Sequence, residues 1–295
     1  MPVPTTDFGP GDLALARDPY ALLAALRARG RVLRGPGSWV VLGHAEALAV
    51  LRSSAARSGF IADLYRRSLP AGAARDEMSH RINFLDPPDH TRVRKLVAKA
   101  FTPRRVAALR PYLTQLCREL LAPHDGDAEI DLIAAFAHPV PSLVISELLG
   151  VPPADRQLLT ALSDRVSALL GLAGLDPTKR GDVTIPPGEP ITLLLASANR
   201  DPAAYPDADC FEPRRWLVDP PPPAPLSFAF GPHYCLGASL AKLEAETMLE
   251  TLLASRPEIA LADEALAWRH TGLFRGLWAL PVRLGRPAAR PRTLS

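Results

Sequence analysis

The sequence predicts a mainly α fold with small peripheral β-sheets, on two observations. Long stretches such as Leu236–Ser255 place apolar residues three and four apart, which is the helical period. Strand signals are few and short, as in Arg31–Arg34 and Trp39–Leu42 on either side of a Gly-Pro-Gly turn. The 295 residues are enough for one large domain or two small ones. Helices therefore build most of the molecule, and the short strands are left for small sheets.

The predicted elements follow in order from local signals. Asp18-Pro19-Tyr20 begins a helix that runs through Leu26, because proline suits a first helical turn. Ser53–Ser79 has little periodicity and predicts a long loop with a short helix at Ile61–Arg66. Further helices are predicted over His44–Leu51, from Pro87-Pro88 up to Phe101, and over Pro103–Leu121, Asp131–Gly150, Pro153–Leu172 and Leu236–Ser255. Further strands are predicted at Val183–Glu189, which ends in a turn, at Ile191–Leu195, and as a terminal hairpin over Leu273–Leu284.

The composition is that of a globular protein. Hydrophobic residues make up 47% of the chain and the net charge is +3, which argues against disorder and against a nucleic-acid-binding surface. No apolar run is long enough to span a bilayer, and the N-terminus lacks a signal-peptide pattern. Cys117, Cys210 and Cys235 are too few and too scattered for a disulfide framework, and Cys117 fits core packing inside a helix. We therefore expect a cytoplasmic protein with no nucleic-acid partner and no membrane span.

One stretch carries the chemistry, the aromatic and glycine-rich loop Ser227–Gly237 that leads into the last long helix. Cys235 comes just before that helix, where backbone N–H groups and the positive end of the helix dipole favour the thiolate. The thiolate is the form of cysteine that binds metal. Gly237 removes a side chain where a flat ligand could approach the backbone closely. The loop predicts a metal-binding cysteine, and the competing interpretation is a core cysteine beside a chance loop.

This loop resembles the cysteine-ligand loop of the P-450 cytochromes, the haem-thiolate monooxygenases. The family pattern is Phe, Gly, any, Gly, any, His, any, Cys, any, Gly. The matching positions are Phe228, Gly231, His233, Cys235 and Gly237. Ala229 replaces the first glycine of the pattern and forbids backbone angles that only glycine adopts easily. The length and order of the match favour the resemblance over chance.

The resemblance implies a cytochrome P-450-like fold and a haem b whose iron takes Cys235 as its axial thiolate ligand. Phe228, Gly231, His233 and Gly237 belong to the expected cofactor-binding set. The thiolate of such a protein pushes electron density onto the iron and favours O–O cleavage.

A second pair of residues extends the expected haem site. His90 and Arg94 are four apart on a predicted helix, so they share one face and can grip an anionic group. In the family that this chain resembles, this His and Arg contact the haem propionates, and we expect His233 nearby. The competing interpretation is a solvated basic face, because Arg92, Lys95 and Lys99 lie on the same helix.

The resemblance also implies an activity and partners. A monooxygenase of this kind is an oxidoreductase that accepts electrons from a ferredoxin or flavodoxin. It inserts one oxygen atom from O2 into a small organic substrate and reduces the other to water.

Members of the family are longer than this chain. The family pattern passes from Pro153–Thr178, which resembles its sixth helix, directly to Val183, without the helices that normally lie between. Those helices amount to on the order of 100 residues. The resemblance therefore predicts a single, internally truncated domain over 1–295, with a helical part at 1–178 and a cysteine-loop part at 183–295.

The missing block normally holds an acid-threonine pair on a distal helix, which supplies protons. Such pairs occur here only at Glu246-Thr247 and Glu250-Thr251, in the helix after the cysteine. Ala173–Thr178 imitates the pattern, but Pro177 takes the hydroxyl position and would break a helix. No catalytic residue is therefore assigned.

The missing block also normally holds a Glu-x-x-Arg helix, whose ion pair fastens the irregular segment before the cysteine loop. Glu212-Pro213-Arg214-Arg215 is the only such spacing, and it lies inside that segment, so we expect Arg215 to lack its partner. Two hypotheses remain. The chain is an active monooxygenase, or it is a degenerate member: a non-catalytic haem binder, an interaction remnant or the product of an internally deleted gene. The loss of the distal helix favours the second hypothesis for turnover.

Overall fold

A computed structural model gives the structure, and it describes residues 3–8, 12–13, 18–124, 129–169, 185–263, 265–270 and 275–286. The predicted junction at 178–183, the segment Ala173–Thr178 and the first residues of the predicted strand Val183–Glu189 lie outside the described residues. Backbone contacts divide the chain into two compact units, Met1–Val97 with Leu172–Leu236, and Ala98–Gly171 with Gly237–Ser295. Each unit combines segments from both sides of the junction, and the single domain over 1–295 stays a prediction.

Helices dominate both units, as the sequence predicts. The α-helices of the described residues are α1 (Pro19–Arg29), α2 (His44–Arg52), α3 (Gly59–Ser68), α4 (Ala73–Ser79), α5 (Asp89–Val97), α6 (Pro103–Ala108), α7 (Arg110–Leu121), α8 (Pro139–Leu148), α9 (Arg156–Leu169), α10 (Leu195–Ala198) and α11 (Ala238–Ser255). Asp18 caps α1, since its carboxylate accepts the N–H groups of Tyr20 at 2.9 Å and Ala21 at 3.3 Å. Within the described residues, no helix combines the length and apolar character needed to cross a bilayer.

The strands are short and form small sheets, which confirms the predicted fold class. In the described residues they are β1 (Val32–Arg34), β2 (Trp39–Val41), β3 (Glu129–Asp131), β4 (Ile191–Leu193), β5 (Ala260–Leu261), β6 (Trp268–His270), β7 (Arg275–Leu277) and β8 (Pro281–Arg283). In the first unit, β2 pairs antiparallel with β1 and parallel with β4. In the second unit, β8 pairs antiparallel with β3 and β5, and β6 pairs antiparallel with β7.

Several predicted boundaries are wrong, most clearly in Ser53–Ser79. This segment was expected to be mainly loop, but it contains α3 and α4. α3 buries Ile61, Ala62 and Tyr65, and this buried face stabilises a helix too short to be stable alone. The predicted helix Asp131–Gly150 is in fact the end of β3, a π-helical turn at Ile133–Ala137 and then α8.

Two other predictions need smaller corrections. The helix predicted over Pro103–Leu121 is interrupted at Leu109, between α6 and α7. The terminal hairpin lies upstream of its predicted position, at β6 and β7, whereas β8 joins a different sheet.

Each unit has its own apolar core. Leu33, Val41, Ile191 and Leu226 are fully buried in the first unit, in two clusters around β1, β2 and β4. The second unit packs α7, α8 and α11 around Leu113, Val140 and Val144. Cys117 is buried in this core, and burial raises the pKa of its thiol to about 11, which confirms its predicted packing role.

Candidate functional site

The cysteine loop is closed by its own backbone. The N–H of Cys235 donates to the carbonyl of Phe228 at 2.8 Å, so the ends of the motif are brought together. The side chain of Cys235 is exposed, and that of Phe228 is half-buried. α11 begins at Ala238, close to the predicted start at Leu236. The thiol is therefore available to a ligand.

Gly231 anchors this loop to α2. Its φ is +70°, and a Cβ atom built there would lie 2.4 Å from the carbonyl oxygen of Leu51. Both the backbone angle and the space exclude any side chain. A second contact joins the same two elements, since the guanidinium of Arg52 lies 4.6 Å from the ring centre of Phe230. The match of Gly231 to the family pattern thus has a steric reason in this chain.

Ala229 occupies the position where the pattern has its first glycine. Its φ is 56° and its ψ is −156°, a region that L-residues other than glycine rarely adopt. The loop therefore keeps the glycine conformation without the glycine. The cost is on the order of 1 to 3 kcal/mol of strain.

The structure brings His90, Arg94 and His233 together in the first unit. The rings of His90 and His233 lie 4.1 Å apart between centroids, at an angle of 33°. Arg94 donates through Nη2 to the carbonyl of Tyr234, the residue before Cys235. His90 is 2% exposed, and its Nε2 has no hydrogen-bond partner among the described residues. Helix α5, which carries His90 and Arg94, thus lies beside the cysteine loop.

Both histidines are held in the neutral form. The pKa of His233 is lowered to about 4, mainly by burial and in part by the nearby His90. Burial and the charge of Arg94 lower the pKa of His90. A neutral imidazole has one N–H donor and one acceptor. The cluster therefore presents Arg94 as its positive charge and two imidazoles as neutral hydrogen-bonding groups.

Ser58 and Asp86 also belong to this cluster, although the sequence analysis gave them no role. The hydroxyl of Ser58 lies 3.3 Å from Nε2 of His233. Asp86 accepts the N–H groups of Ser58 at 2.9 Å and Gly59 at 3.1 Å, at the start of α3. A serine directly before a helix is a capping signal in a sequence, although here the side chain of Ser58 makes no capping hydrogen bond and Asp86 accepts the N–H groups instead. That signal was missed because the segment was interpreted as loop.

The donor set of the site fits a haem. A haem needs an iron ligand and hydrogen-bond donors for its two carboxylates, and the exposed thiol of Cys235 and the cluster around Arg94 supply such groups. The buried, unpartnered Nε2 of His90 is the kind of atom that a bound ligand satisfies. At Gly237, which belongs to the second unit, a Cβ atom would meet nothing within 4 Å, so no steric contact in that unit requires a glycine there. Among the described residues, no cluster of three His, Cys, Asp or Glu side chains offers another metal site.

Arg215 was expected to lack a partner, but hydrogen bonds to backbone carbonyl oxygens hold its side chain. Its guanidinium donates to the carbonyl oxygens of Pro206 at 2.6 Å, Cys210 at 2.9 Å, Asp207 at 3.0 Å and Glu212 at 3.1 Å. These carbonyl oxygens satisfy the guanidinium, so the predicted cost of a buried, unpaired arginine does not arise. The irregular segment holds itself together through its own backbone.

The two acid-threonine pairs of α11 have structural contacts in the second unit. Arg110 donates to Glu246 at 2.9 Å and to Glu250 at 3.3 Å, so both carboxylates belong to surface ion pairs between α7 and α11. Thr247 is buried, and its hydroxyl has no partner among the described residues.

Comparisons with known proteins define the class to which this fold and site belong. The family model described as cytochrome P450 matches residues 162–255. The cytochrome P450 monooxygenase PikC of Streptomyces venezuelae is 30% identical to this chain, with 97% of this chain and 96% of PikC aligned. This chain belongs to the cytochrome P450 family.

Two further relatives support the same family membership. Cytochrome P450 107B1 of Saccharopolyspora erythraea is 30% identical, over 93% of this chain and 97% of the relative. The solved structure of the tirandamycin C-bound P450 monooxygenase TamI is 27% identical, with a TM-score of 0.76, over 96% of this chain and 100% of TamI. The fold is therefore the P450 fold. The alignment with PikC spans 412 positions, although this chain has 295 residues, in agreement with the predicted internal truncation.

Proposed function

We propose that this chain is a haem-thiolate protein of the monooxygenase class. Cys235 binds the iron of haem b as its axial thiolate, and the protein inserts one oxygen atom from O2 into a small organic substrate. Electrons come from a ferredoxin or flavodoxin partner. The proposal includes a single domain over 1–295, because each compact unit combines segments from before and after the junction.

The observation that carries the proposal is the buried cluster beside the cysteine loop. His90 has a buried Nε2 without a partner among the described residues, and it stacks on His233, two residues before Cys235. Arg94 contacts the backbone of Tyr234 and carries the positive charge of the cluster. A solvated basic face does not bury its histidine to 2% exposure. The arrangement favours recognition of an anionic group next to the cysteine.

Each residue has a defined task in this proposal. The thiolate of Cys235 donates electron density to the iron. Arg94 and the N–H groups of His90 and His233 hold the haem carboxylates. Gly231 keeps the loop against α2, so that the cysteine stays at a fixed place relative to α5. When bound, the haem supplies the oxygen-activating redox chemistry.

The test is a haem titration of the purified chain, followed by reduction under carbon monoxide. We expect the absorption spectrum of a thiolate-ligated ferrous carbonyl for the wild type. Cys235→Ser should lose that spectrum and bind haem more weakly. Cys210→Ser is the matched control, because Cys210 is also exposed but lies in the irregular segment. If Cys235→Ser keeps the wild-type affinity and spectrum, the ligand assignment is wrong.

The second candidate is a non-catalytic haem binder of the same family. It is favoured by the only acid-threonine pairs of the sequence, at Glu246 and Glu250, because both carboxylates pair with Arg110 on the surface of the second unit. Turnover distinguishes the candidates, whereas the haem titration supports either.

A further inference from the structure

Asp86 and Ser58 form a hydrogen-bonded arrangement next to His233 that the roles above do not use. We propose that Asp86, acting through Ser58, is a positioning residue that fixes the ring of His233 so that its free nitrogen faces a haem carboxylate. This inference rests on the proposed haem binding. It concerns groups of the first unit alone, and both residues lie outside the cysteine loop and outside the His90–Arg94 pair.

The first step is the attachment of Ser58 to Asp86. The carboxylate accepts two neighbouring backbone N–H groups, from Ser58 at 2.9 Å and from Gly59 at 3.1 Å. The carboxylate lies so close to Gly59 that a Cβ atom there would be 2.6 Å from Oδ2 of Asp86. Hydrogen bonds to a charged acceptor are among the stronger ones in proteins. Asp86 therefore holds the backbone of Ser58 at one place.

The second step runs from Ser58 to the imidazole. The hydroxyl has one proton and three acceptors within reach: the carbonyl of Leu85 at 3.1 Å, Nε2 of His233 at 3.3 Å and Oδ1 of Asp86 at 3.5 Å. Ser58 is 5% exposed, so water does not compete freely for this contact. The contact occupies Nε2 of His233 and leaves Nδ1 without a hydrogen-bond partner among the described residues. Nδ1 is thus the ring nitrogen that remains for a ligand.

The third step concerns the proton of the ring. A neutral imidazole carries its proton on one nitrogen only, and the partner of the other nitrogen decides which. In the proposed arrangement the hydroxyl proton goes to Nε2 and not to the carbonyl of Leu85, so the ring proton is on Nδ1, and Nδ1 can donate to a carboxylate. Without the hydroxyl, neither the position of the ring proton nor the orientation of the ring is fixed. Asp86 does not touch the ligand in this scheme; it acts by keeping Ser58 in place.

The experiment uses the full chain and four variants. Ser58→Ala removes the hydroxyl, Ser58→Thr keeps it, and Asp86→Asn replaces one acceptor oxygen by a donor. Asp89→Asn is the matched control, because Asp89 is an exposed carboxylate nearby whose ion pair in the described part of the chain is with the exposed Arg92, at 3.4 Å. Circular dichroism and thermal melting of each variant confirm that it folds before comparison.

The first readout needs no haem. In the haem-free chain with 15N-labelled histidine, the ring nitrogen signals of His233 are assigned with His233→Gln. We expect Ser58→Ala and Asp86→Asn to shift these signals, and Ser58→Thr and Asp89→Asn to leave them near the wild-type positions. A merely structural role of Asp86 does not require these signals to move. Unchanged His233 signals in both Ser58→Ala and Asp86→Asn would therefore overturn the inference.

The second readout is haem loss to an excess of apomyoglobin. Loss should be roughly three- to tenfold faster in Ser58→Ala and Asp86→Asn, the effect of one hydrogen bond. Ser58→Thr should restore slow loss, and Asp89→Asn should not change it. If haem binds through Cys235 but leaves Ser58→Ala at the wild-type rate, the inference is wrong and the proposed function stands. If haem does not bind through Cys235, both are wrong.

Discussion

Ala229 shows how a single side chain changes the energy of the cysteine loop. Its backbone has φ 56° and ψ −156°, so the chain adopts a glycine conformation at an alanine. The sequence alone identified the replaced glycine, and the structure adds that the loop does not relax to avoid the strain. Strain at such a position is often associated with function, since the surrounding contacts must hold it in place.

Ala229→Gly should therefore stabilise the haem-free chain by about 1 kcal/mol, because it removes the strain at a cost in unfolded-state entropy. Urea unfolding measures the change. The control is Ala245→Gly, at an exposed position inside α11, which should destabilise by about 1 kcal/mol. Equal losses of stability in both variants would contradict the strained conformation at Ala229.

Arg215 is a second residue whose role depends on the geometry of its side chain. Its planar guanidinium reaches four carbonyl oxygens in different directions, between 2.6 and 3.1 Å away. A lysine ammonium has three donors on one atom and cannot make the same set of bonds. The segment from Pro206 to Glu212 thus depends on this one side chain.

Arg215→Lys should open that segment, with amide hydrogen exchange of the peptide spanning 206–217 about tenfold faster, as expected for the loss of roughly one net hydrogen bond. Mass spectrometry measures the exchange. Arg214→Lys is the control, because the side chain of Arg214 is exposed and keeps its charge. Exchange rates that are the same in both variants would show that other contacts hold the segment.

At the level of elements, α11 combines an exposed charged face and a buried polar position. Glu246 and Glu250 pair with Arg110 on the outside. Glu244 lies on the opposite side and is 9% exposed, and burial raises the pKa of its carboxyl to about 7. The helical period places one glutamate among the buried leucines of α11, Leu240 and Leu243.

The raised pKa of Glu244 predicts a pH-dependent stability. The folded chain binds this proton more tightly than the unfolded chain, so the free energy of unfolding falls as the pH rises from about 4.5 to about 7, and stays lower above that range. Glu244→Gln removes the ionisation and should stabilise the chain at pH 8 by on the order of 3 kcal/mol, with a much smaller gain at pH 5.

Urea unfolding of the haem-free chain at the two pH values measures this effect. Glu250→Gln, on the exposed face of the same helix, should change stability by less than about 1 kcal/mol at both pH values. A gain at pH 8 that is no larger than the gain at pH 5 would mean that Glu244 is not a buried ionisable group of the folded chain.

At the level of the whole molecule, the internal truncation bears on turnover. The alignment with PikC spans 412 positions, whereas this chain has 295 residues. The sequence offers no acid-threonine pair outside α11 and no Glu-x-x-Arg helix. Oxygen activation needs a positioned proton source and a cavity that excludes bulk water.

We therefore expect poor coupling between electrons consumed and product formed, with electrons lost to hydrogen peroxide. The measurement supplies a surrogate ferredoxin and its reductase, and it compares reductant consumed, peroxide and product over a broad panel of small organic substrates. Rapid haem loss should accompany poor coupling, because fewer apolar contacts hold the ring. Tight coupling to a hydroxylated product would show that another part of this chain replaces the distal helix, and would favour the active monooxygenase.

The sequence by itself determined the family, the mainly helical fold and the pairing of Cys235 with the His90–Arg94 helix as parts of one expected site. These features depend on local order: a motif in register, a four-residue spacing and the helical period. Helices with local capping and periodic signals, such as α1 and α11, were predicted nearly to their ends.

Only the tertiary structure decided the rest. α3 forms because it buries Ile61 and Tyr65 against residues distant in sequence, such as Phe84, whose ring lies 5.7 Å from that of Tyr65. The sequence also did not predict that Asp86 contacts Ser58 or that Arg215 donates to carbonyl oxygens. Every residue carries the same backbone C=O and, except proline, the same N–H, so the sequence does not show which of these groups a side chain will reach.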